Sequence, residues 1–153
     1  MQDLFKLLKT KDIMLASAES CTGGLIAKTI TDEPGSSAYF ERGFITYSNQ
    51  AKKELLAISH EMLLKHGAVS KQVAIAMAQG ALEHSHAGIA VSCTGIAGPS
   101  GGSDEKPVGL VYIGVASKMD EPASYEHHFD GDREQIREQT LNAAIQHLKD
   151  HLQ

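Results

Sequence analysis

Cysteine is scarce in this sequence, and its two copies fall into no paired spacing. That excludes the disulfide framework of a small secreted domain. With no charged and apolar leader at the start, the chain reads as a protein of the reducing cytoplasm. No apolar run approaches the ~20 residues that a membrane-spanning helix needs. No basic stripe relieves a net charge of −5, which argues against a nucleic-acid partner. Metal-ligand patterns are missing as well. There is no Cys-x-x-Cys or His-Glu-x-x-His, and the eight histidines are scattered apart from His127-His128 and the stretch "EHSH" at Glu83–His86. No low-complexity tract divides the 153 residues. The expectation is one domain over residues 1–153 with one hydrophobic core and no protein-ligated metal.

What is present alternates in period. Leu4, Phe5, Leu7 and Leu8 share a helical face, and "IMLASAES" then reads as a buried strand of about six residues running into a turn. "TGGLIAKTITD" follows as a helix that opens on small residues, and Pro34-Gly35 breaks it. "AYFERGFITYS" has the aromatic and β-branched content of a strand or bent strand pair, with Gly43 as a candidate bulge. Asn49 is placed to cap a helix begun by "QAKKELLAI". A short helix around Glu61–Lys65 should stop at Gly67, and Ser70 should cap the longer "KQVAIAMAQGALEHS". "AGIAVSCTG" is a continuous apolar run, as expected of a central strand buried on both faces. After a glycine-rich loop come the strand "VGLVYIGVA", a more polar edge strand "ASYEHHF", and a closing helix whose Asp132 and Gln135 form a capping box. The class is α/β, with a mixed sheet and helices on both sides.

The tetrapeptide Ser-Cys-Thr-Gly occurs twice, at Ser20–Gly23 and Ser92–Gly95. The flanks argue against duplication: a helix follows the first copy, a long loop and a strand follow the second. Both copies lie just past the carboxyl end of an expected buried strand, where open α/β sheets bind ligands. Two hydroxyl-rich loops could therefore face one ligand from two sides.

Each stretch permits a chemistry and also a plainer role. In "ESCTGG", Ser20 at a strand–turn–helix junction could act as a nucleophile. Gly23 and Gly24 would admit substrate to the backbone, and Thr22 and the helix start offer N–H groups to an oxyanion or phosphate. Equally, Ser20, Cys21 and Thr22 could be cap and packing residues. A serine needs a base, and no Ser-His-Asp set presents itself. Lys52 is the alternative: it stands in the first turn of its helix, where the macrodipole disfavours a cation, and burial would lower its pKa. Tyr47 and Asn49 are nearby polar residues; the plainer reading of Lys52 is a solvated lysine like Lys53. The loop after the second copy carries Gly95, Gly98, Gly101 and Gly102 in twelve residues that a structural turn would not need, a shape suited to cradling a phosphate. It is neither a Walker A loop nor a dinucleotide fingerprint. Arg133, at a helix start, and Arg137, one turn on, could hold an anion there; ion pairs to Glu134 or Asp130 are the plainer alternative.

Taken in order, "SAESCTGGLIA", "GFITYSNQAKKELL", "VSKQVAIAMAQGAL", "SCTGIAGPSGGSDEKPVGLVYIG" and "FDGDREQIREQT" cover nearly the whole chain. This set resembles the CinA C-terminal domain family, whose stand-alone members include nicotinamide mononucleotide deamidases. The resemblance implies a three-layer α/β/α sandwich. It also implies hydrolysis of the nicotinamide carboxamide of that nucleotide to nicotinic acid mononucleotide and ammonia, part of pyridine-nucleotide recycling, with no cofactor. On the matching motifs, Ser20 is similar to the family's nucleophile and Lys52 to its base. Tyr47 and Thr94 are similar to its polar partners, and Arg133 to a ligand contact. Larger relatives carry a further N-terminal domain, so no pyrophosphatase activity is expected of this chain. The implied partner is a small nucleotide, with a homo-oligomer of the chain expected. The alternative from another class is a nucleotide-binding or regulatory module that keeps the pocket without turnover.

Overall fold

A computed structural model describes Met1–Gln153. Five strands form one sheet in the order β2-β1-β3-β4-β5: β1 (Leu15–Glu19), β2 (Phe40–Ile45), β3 (Ile89–Gly95), β4 (Leu110–Ser117) and β5 (Ala123–His128). β2, β1 and β3 run parallel, and β4 and β5 are antiparallel to their neighbours, so the sheet is mixed. Six α-helices cover it: α1 (Gln2–Lys11), α2 (Leu25–Thr31), α3 (Asn49–Leu56), α4 (His60–His66), α5 (Lys71–Glu83) and α6 (Arg133–Leu152).

Strand alternation divides the side chains between two faces. On one, Leu4 and Leu8 of α1, Ile26 and Ile30 of α2, and Ile136 and Leu148 of α6 pack on Leu15, Ile89, Val91, Ile113 and Val115. On the other, Leu56, Leu63, Val73, Met77 and Ala81 of α3 to α5 pack on Ala16, Ala18 and Ala90. The sheet thus carries large side chains toward α1, α2 and α6 and small ones toward α5. The reason is close approach: a Cβ on Gly114 would fall onto the Ala74 carbonyl and lie 2.6 Å from Ser92 Oγ. The fold is a three-layer α/β/α sandwich.

Most local signals act as the sequence suggests. Ser70 accepts from the Val73 amide to cap α5, Gly67 ends α4, and Asp132 with Gln135 closes a reciprocal capping box on α6. Two expectations are corrected. Asn49 does not cap α3; Ser48, one residue earlier and extended at φ −105°, accepts from the Ala51 amide at 3.0 Å, which leaves Asn49 as the first helical residue. Gly43 is not a bulge either. β2 is a single strand whose pairing to β1 slips between Leu15 and Ala16, opposite Phe40 and Arg42, so Glu41 is the unpaired residue. Gly43 is instead where β2 lies against its neighbours, a Cβ there standing 3.0 Å from Ser17 Oγ and 3.2 Å from Ala27 Cβ.

The parallel strands β1, β2 and β3 end at one edge of the sheet. From β1 the chain leaves into α2 on one face, and from β2 it leaves into α3 to α5 on the other. The crevice at the carboxyl ends of β1 and β3 is therefore a switch point, the usual place for a ligand in such sheets.

Candidate active site

Ser20 is the first residue past β1, and its amide donates to the Cys93 carbonyl of β3 at 3.1 Å. The chain then turns sharply: the Gly23 amide returns to the Ser20 carbonyl at 3.1 Å, and Gly23 and Gly24 adopt φ of +60° and +103°. Only glycine enters that region without strain, and two in succession let α2 start immediately behind the serine.

Lys52 comes to this serine from the opposite layer. It sits in the first turn of α3, only 1% exposed, and its Nζ donates to Ser20 Oγ at 3.0 Å and to the Thr46 carbonyl at 2.9 Å. No carboxylate pairs with it; the three ion pairs of the protein involve other residues. Burial holds the ammonium below the usual lysine range, and the Cys21 and Cys93 sulfurs, which act the other way, do not overcome it. The lowered pKa favours the neutral amine relative to a solvated lysine, the form that a base requires. Thr46 Oγ1, buried in the preceding loop, has no partner.

Ser20 and Lys52 open onto a cavity of about 350 Å³. Of the residues singled out from sequence, Tyr47, Asn49, Thr94, Gly95, Gly98, Gly101 and Arg133 line it. Three of these side chains are already engaged. Thr94 Oγ1 donates to the Ala68 carbonyl at 2.8 Å, and the Tyr47 hydroxyl, at the rim, accepts from Arg133 at 2.7 Å rather than meeting Ser20 or Lys52. Arg133 also donates to the Gly98 carbonyl at 2.8 Å, so one guanidinium ties the glycine loop to the β2–α3 loop across the mouth. Neither Glu134 nor Asp130 pairs with it.

Thr22, Gly23, Gly24, Gly102 and Arg137 do not line the cavity. The helix-start amides offered above for an oxyanion or phosphate are occupied: the Gly24, Ile26 and Ala27 N–H groups all donate to the buried Glu19 carboxylate. Arg137 lies behind the turn, where it donates to the Thr22 carbonyl. The Cys21 and Thr22 amides, by contrast, donate to no backbone carbonyl.

Sequence reasoning passed over Glu19, the Cys21–Cys93 contact and the apolar wall. A hydrogen bond between the buried Cys21 and Cys93 thiols pushes Cys21 up and lowers Cys93. Ala68 and Val69, from the α4–α5 loop, and Ile96 and Ala97 form that wall. Of the wall, Val69 lies in the motif "VSKQVAIAMAQGAL" and Ile96 and Ala97 in "SCTGIAGPSGGSDEKPVGLVYIG", while Ala68 lies outside the quoted motifs.

The model of the CinA C-terminal domain matches residues 1–152. The chain belongs to the CinA C-terminal domain family. Among its relatives in the family, the nicotinamide-nucleotide amidohydrolase PncC of Shigella flexneri is 50% identical over 141 residues, 92% of this chain and 86% of that protein. A putative competence-damage inducible protein of Caldicellulosiruptor bescii is 55% identical over 143 residues, 94% of this chain. The chain spans only 34% of that larger protein. A crystal structure of the competence/damage inducible protein CihA of Agrobacterium tumefaciens superposes with a TM-score of 0.90 at 44% identity, covering 99% of this chain and 96% of that one. No helix in this CinA-family chain is long and apolar enough to cross a membrane.

Proposed function

We propose that this protein hydrolyses the carboxamide of nicotinamide mononucleotide, releasing ammonia and nicotinic acid mononucleotide, with Ser20 as nucleophile and Lys52 as base. The observation that carries the reading is the buried, carboxylate-free Lys52 Nζ 3.0 Å from Ser20 Oγ. The PncC relatives, named for that activity, supply the substrate class.

A carboxamide is a poor electrophile, so the serine must be activated and the oxyanion held. Neutral Lys52 takes the Ser20 proton as Oγ bonds to the carboxamide carbon. The oxyanion so formed is received beside the serine by the Cys21 amide, whose residue lines the cavity and which donates to no backbone carbonyl. The tetrahedral species then collapses: the C–N bond breaks, Lys52 returns its proton to the departing nitrogen, and ammonia leaves an ester on Ser20. A water attacks that ester, again giving its proton to Lys52, and expulsion of Ser20 restores the dyad. The Ala68, Val69, Ile96 and Ala97 wall suits the flat pyridine ring. Arg133 with the Gly98–Gly101 loop suits the phosphate, which needs a cation and close backbone approach. These steps ask nothing of a metal, and the proposal sets the enzyme in the cytoplasm, with the nucleotide pool it would recycle.

Calorimetric titration with the nucleotide, run beside an ammonia assay without added metal, tests the reading. Ammonia formed one-for-one with nucleotide consumed is expected. Saturable binding with no ammonia would replace the enzyme by a silent nucleotide-binding module.

A further inference from the structure

Glu19 is fully buried at the last position of β1, immediately before the nucleophile. Its carboxylate collects an unusual set of donors. Oε2 accepts from Thr22 Oγ1 at 2.6 Å and from the Gly24 and Ile26 amides at 3.0 Å each. Oε1 accepts from the Ala27 amide at 2.8 Å and from Ser17 Oγ at 3.3 Å. Helix α2 has no cap from its own N-cap residue, Gly24. The carboxylate that ends β1 caps it from behind, which also compensates the positive end of the helix.

The chain from Glu19 to Ala27 is thereby closed into a ring, with Ser20 and Cys21 on the side that lines the cavity. On the far side Arg137 holds the Thr22 carbonyl. Ser20 itself has one other backbone tie across the sheet, to Cys93. A serine exposed at a glycine-rich turn would wander by an ångström without such an anchor, and displacement of that size costs about a hundredfold in rate.

We infer that Glu19 is a positioning residue for the proposed reaction: its buried carboxylate fixes the turn that presents the Ser20 hydroxyl and the Cys21 amide to the carbonyl under attack. It touches no substrate and transfers no proton. The inference rests on the amidohydrolase reading only for the identity of the substrate; the activation of Ser20 is separable from it.

The test uses the full chain and Glu19→Gln, which keeps the shape but turns one oxygen into an N–H₂ that faces amide donors. Thr22→Val, which removes the shortest of the five bonds together with the Thr22 Oγ1 contact to Cys93 Sγ at 3.0 Å, is the second variant should Glu19→Gln fold poorly. Two readouts are taken on each: kcat and KM for nicotinamide mononucleotide, and the rate of covalent labelling by an alkyl fluorophosphonate, which reports an activated serine whatever the natural substrate. The expected result is a fall in kcat of about a hundredfold for Glu19→Gln and about tenfold for Thr22→Val, with KM within about twofold and labelling slowed in parallel. Folded variants that label Ser20 at the wild-type rate would overturn the inference, as would a KM that rises in step with the loss of kcat. Wild-type protein that labels at Ser20 but releases no ammonia would remove the substrate reading and leave the role of Glu19 standing. Wild-type protein that does not label would overturn both.

Discussion

The two Ser-Cys-Thr-Gly segments differ by two residues of register, and that offset separates their jobs. β1 and β3 pair in parallel with Ala18 opposite Ser92 and Glu19 opposite Cys93. The serine of the second copy is therefore still inside the sheet, level with Ala18, while the serine of the first has already left it. Ser92, 0% exposed, turns toward α5 and donates to the Ala74 carbonyl at 2.6 Å. Ser20 meets Lys52 at the mouth of the cavity. One step beyond Cys93, Thr94 stands level with Ser20 and lines the same cavity. Identical letters thus produce a helix-packing hydrogen bond in one strand and a nucleophile candidate in the next.

Breaking the dyad should have the largest effect. Ser20→Ala is expected to lower ammonia release by roughly ten-thousandfold or more, as loss of a nucleophile does in other serine hydrolases. Lys52→Met should match it in steady-state assays while moving stability the other way. The folded-state pKa of Lys52 is depressed, so at pH values below the unfolded value the folded protein either buries a charge or forgoes a proton that the unfolded chain keeps. Its contribution is therefore most unfavourable at low pH and relaxes as pH rises through the folded pKa toward the ordinary lysine value of about 10.4. Lys52→Met should melt above the wild type at pH 7 in differential scanning calorimetry, with the gap closing toward pH 10.5. The same shift gives the wild-type rate an acid limb, lost as pH falls and Lys52 takes up its proton, whose midpoint lies below the usual lysine range. A limb at the ordinary value would remove Lys52 as base.

A smaller effect should come from the mouth. Arg133→Gln removes the guanidinium that bridges Tyr47 and Gly98, and KM for the nucleotide should rise about tenfold to a hundredfold with kcat less affected, as for loss of a charged hydrogen bond to phosphate. The smallest effect on turnover should come from the second copy. Ser92→Ala should leave kcat within about twofold and cost about 1 kcal/mol in denaturant unfolding, the worth of one buried hydrogen bond. A large loss of kcat there would erase the asymmetry between the copies.

The features legible in the sequence are those that depend on a few neighbouring residues. The apolar run around Val91 marked a central strand, Asp132 and Gln135 marked the start of α6, and a lysine in the first turn of a helix marked Lys52 as out of place. Consecutive cap-formers were less informative: Ser48 and Asn49 both suit the position, and backbone geometry selects the first. The bulge sat at Glu41 rather than Gly43 because sheet register, not glycine, decided it. Least legible was Glu19. A glutamate ending a strand reads as ordinary, and only the return of the chain through Gly23 and Gly24 brings four donors from the following residues onto it. The placement of Arg137 behind the turn likewise depends on α6 crossing a segment more than a hundred residues earlier in the chain.

The central claim is that the first copy, and not the second, forms the covalent bond to substrate. Rapid acid quenching of the protein during turnover of nicotinamide mononucleotide, followed by peptide mass spectrometry, tests it directly. The account predicts an acyl adduct on the peptide containing Ser20 and its absence in Ser20→Ala. An adduct on the Ser92 peptide or on Cys21, or ammonia release at the full rate by Ser20→Ala, would contradict it.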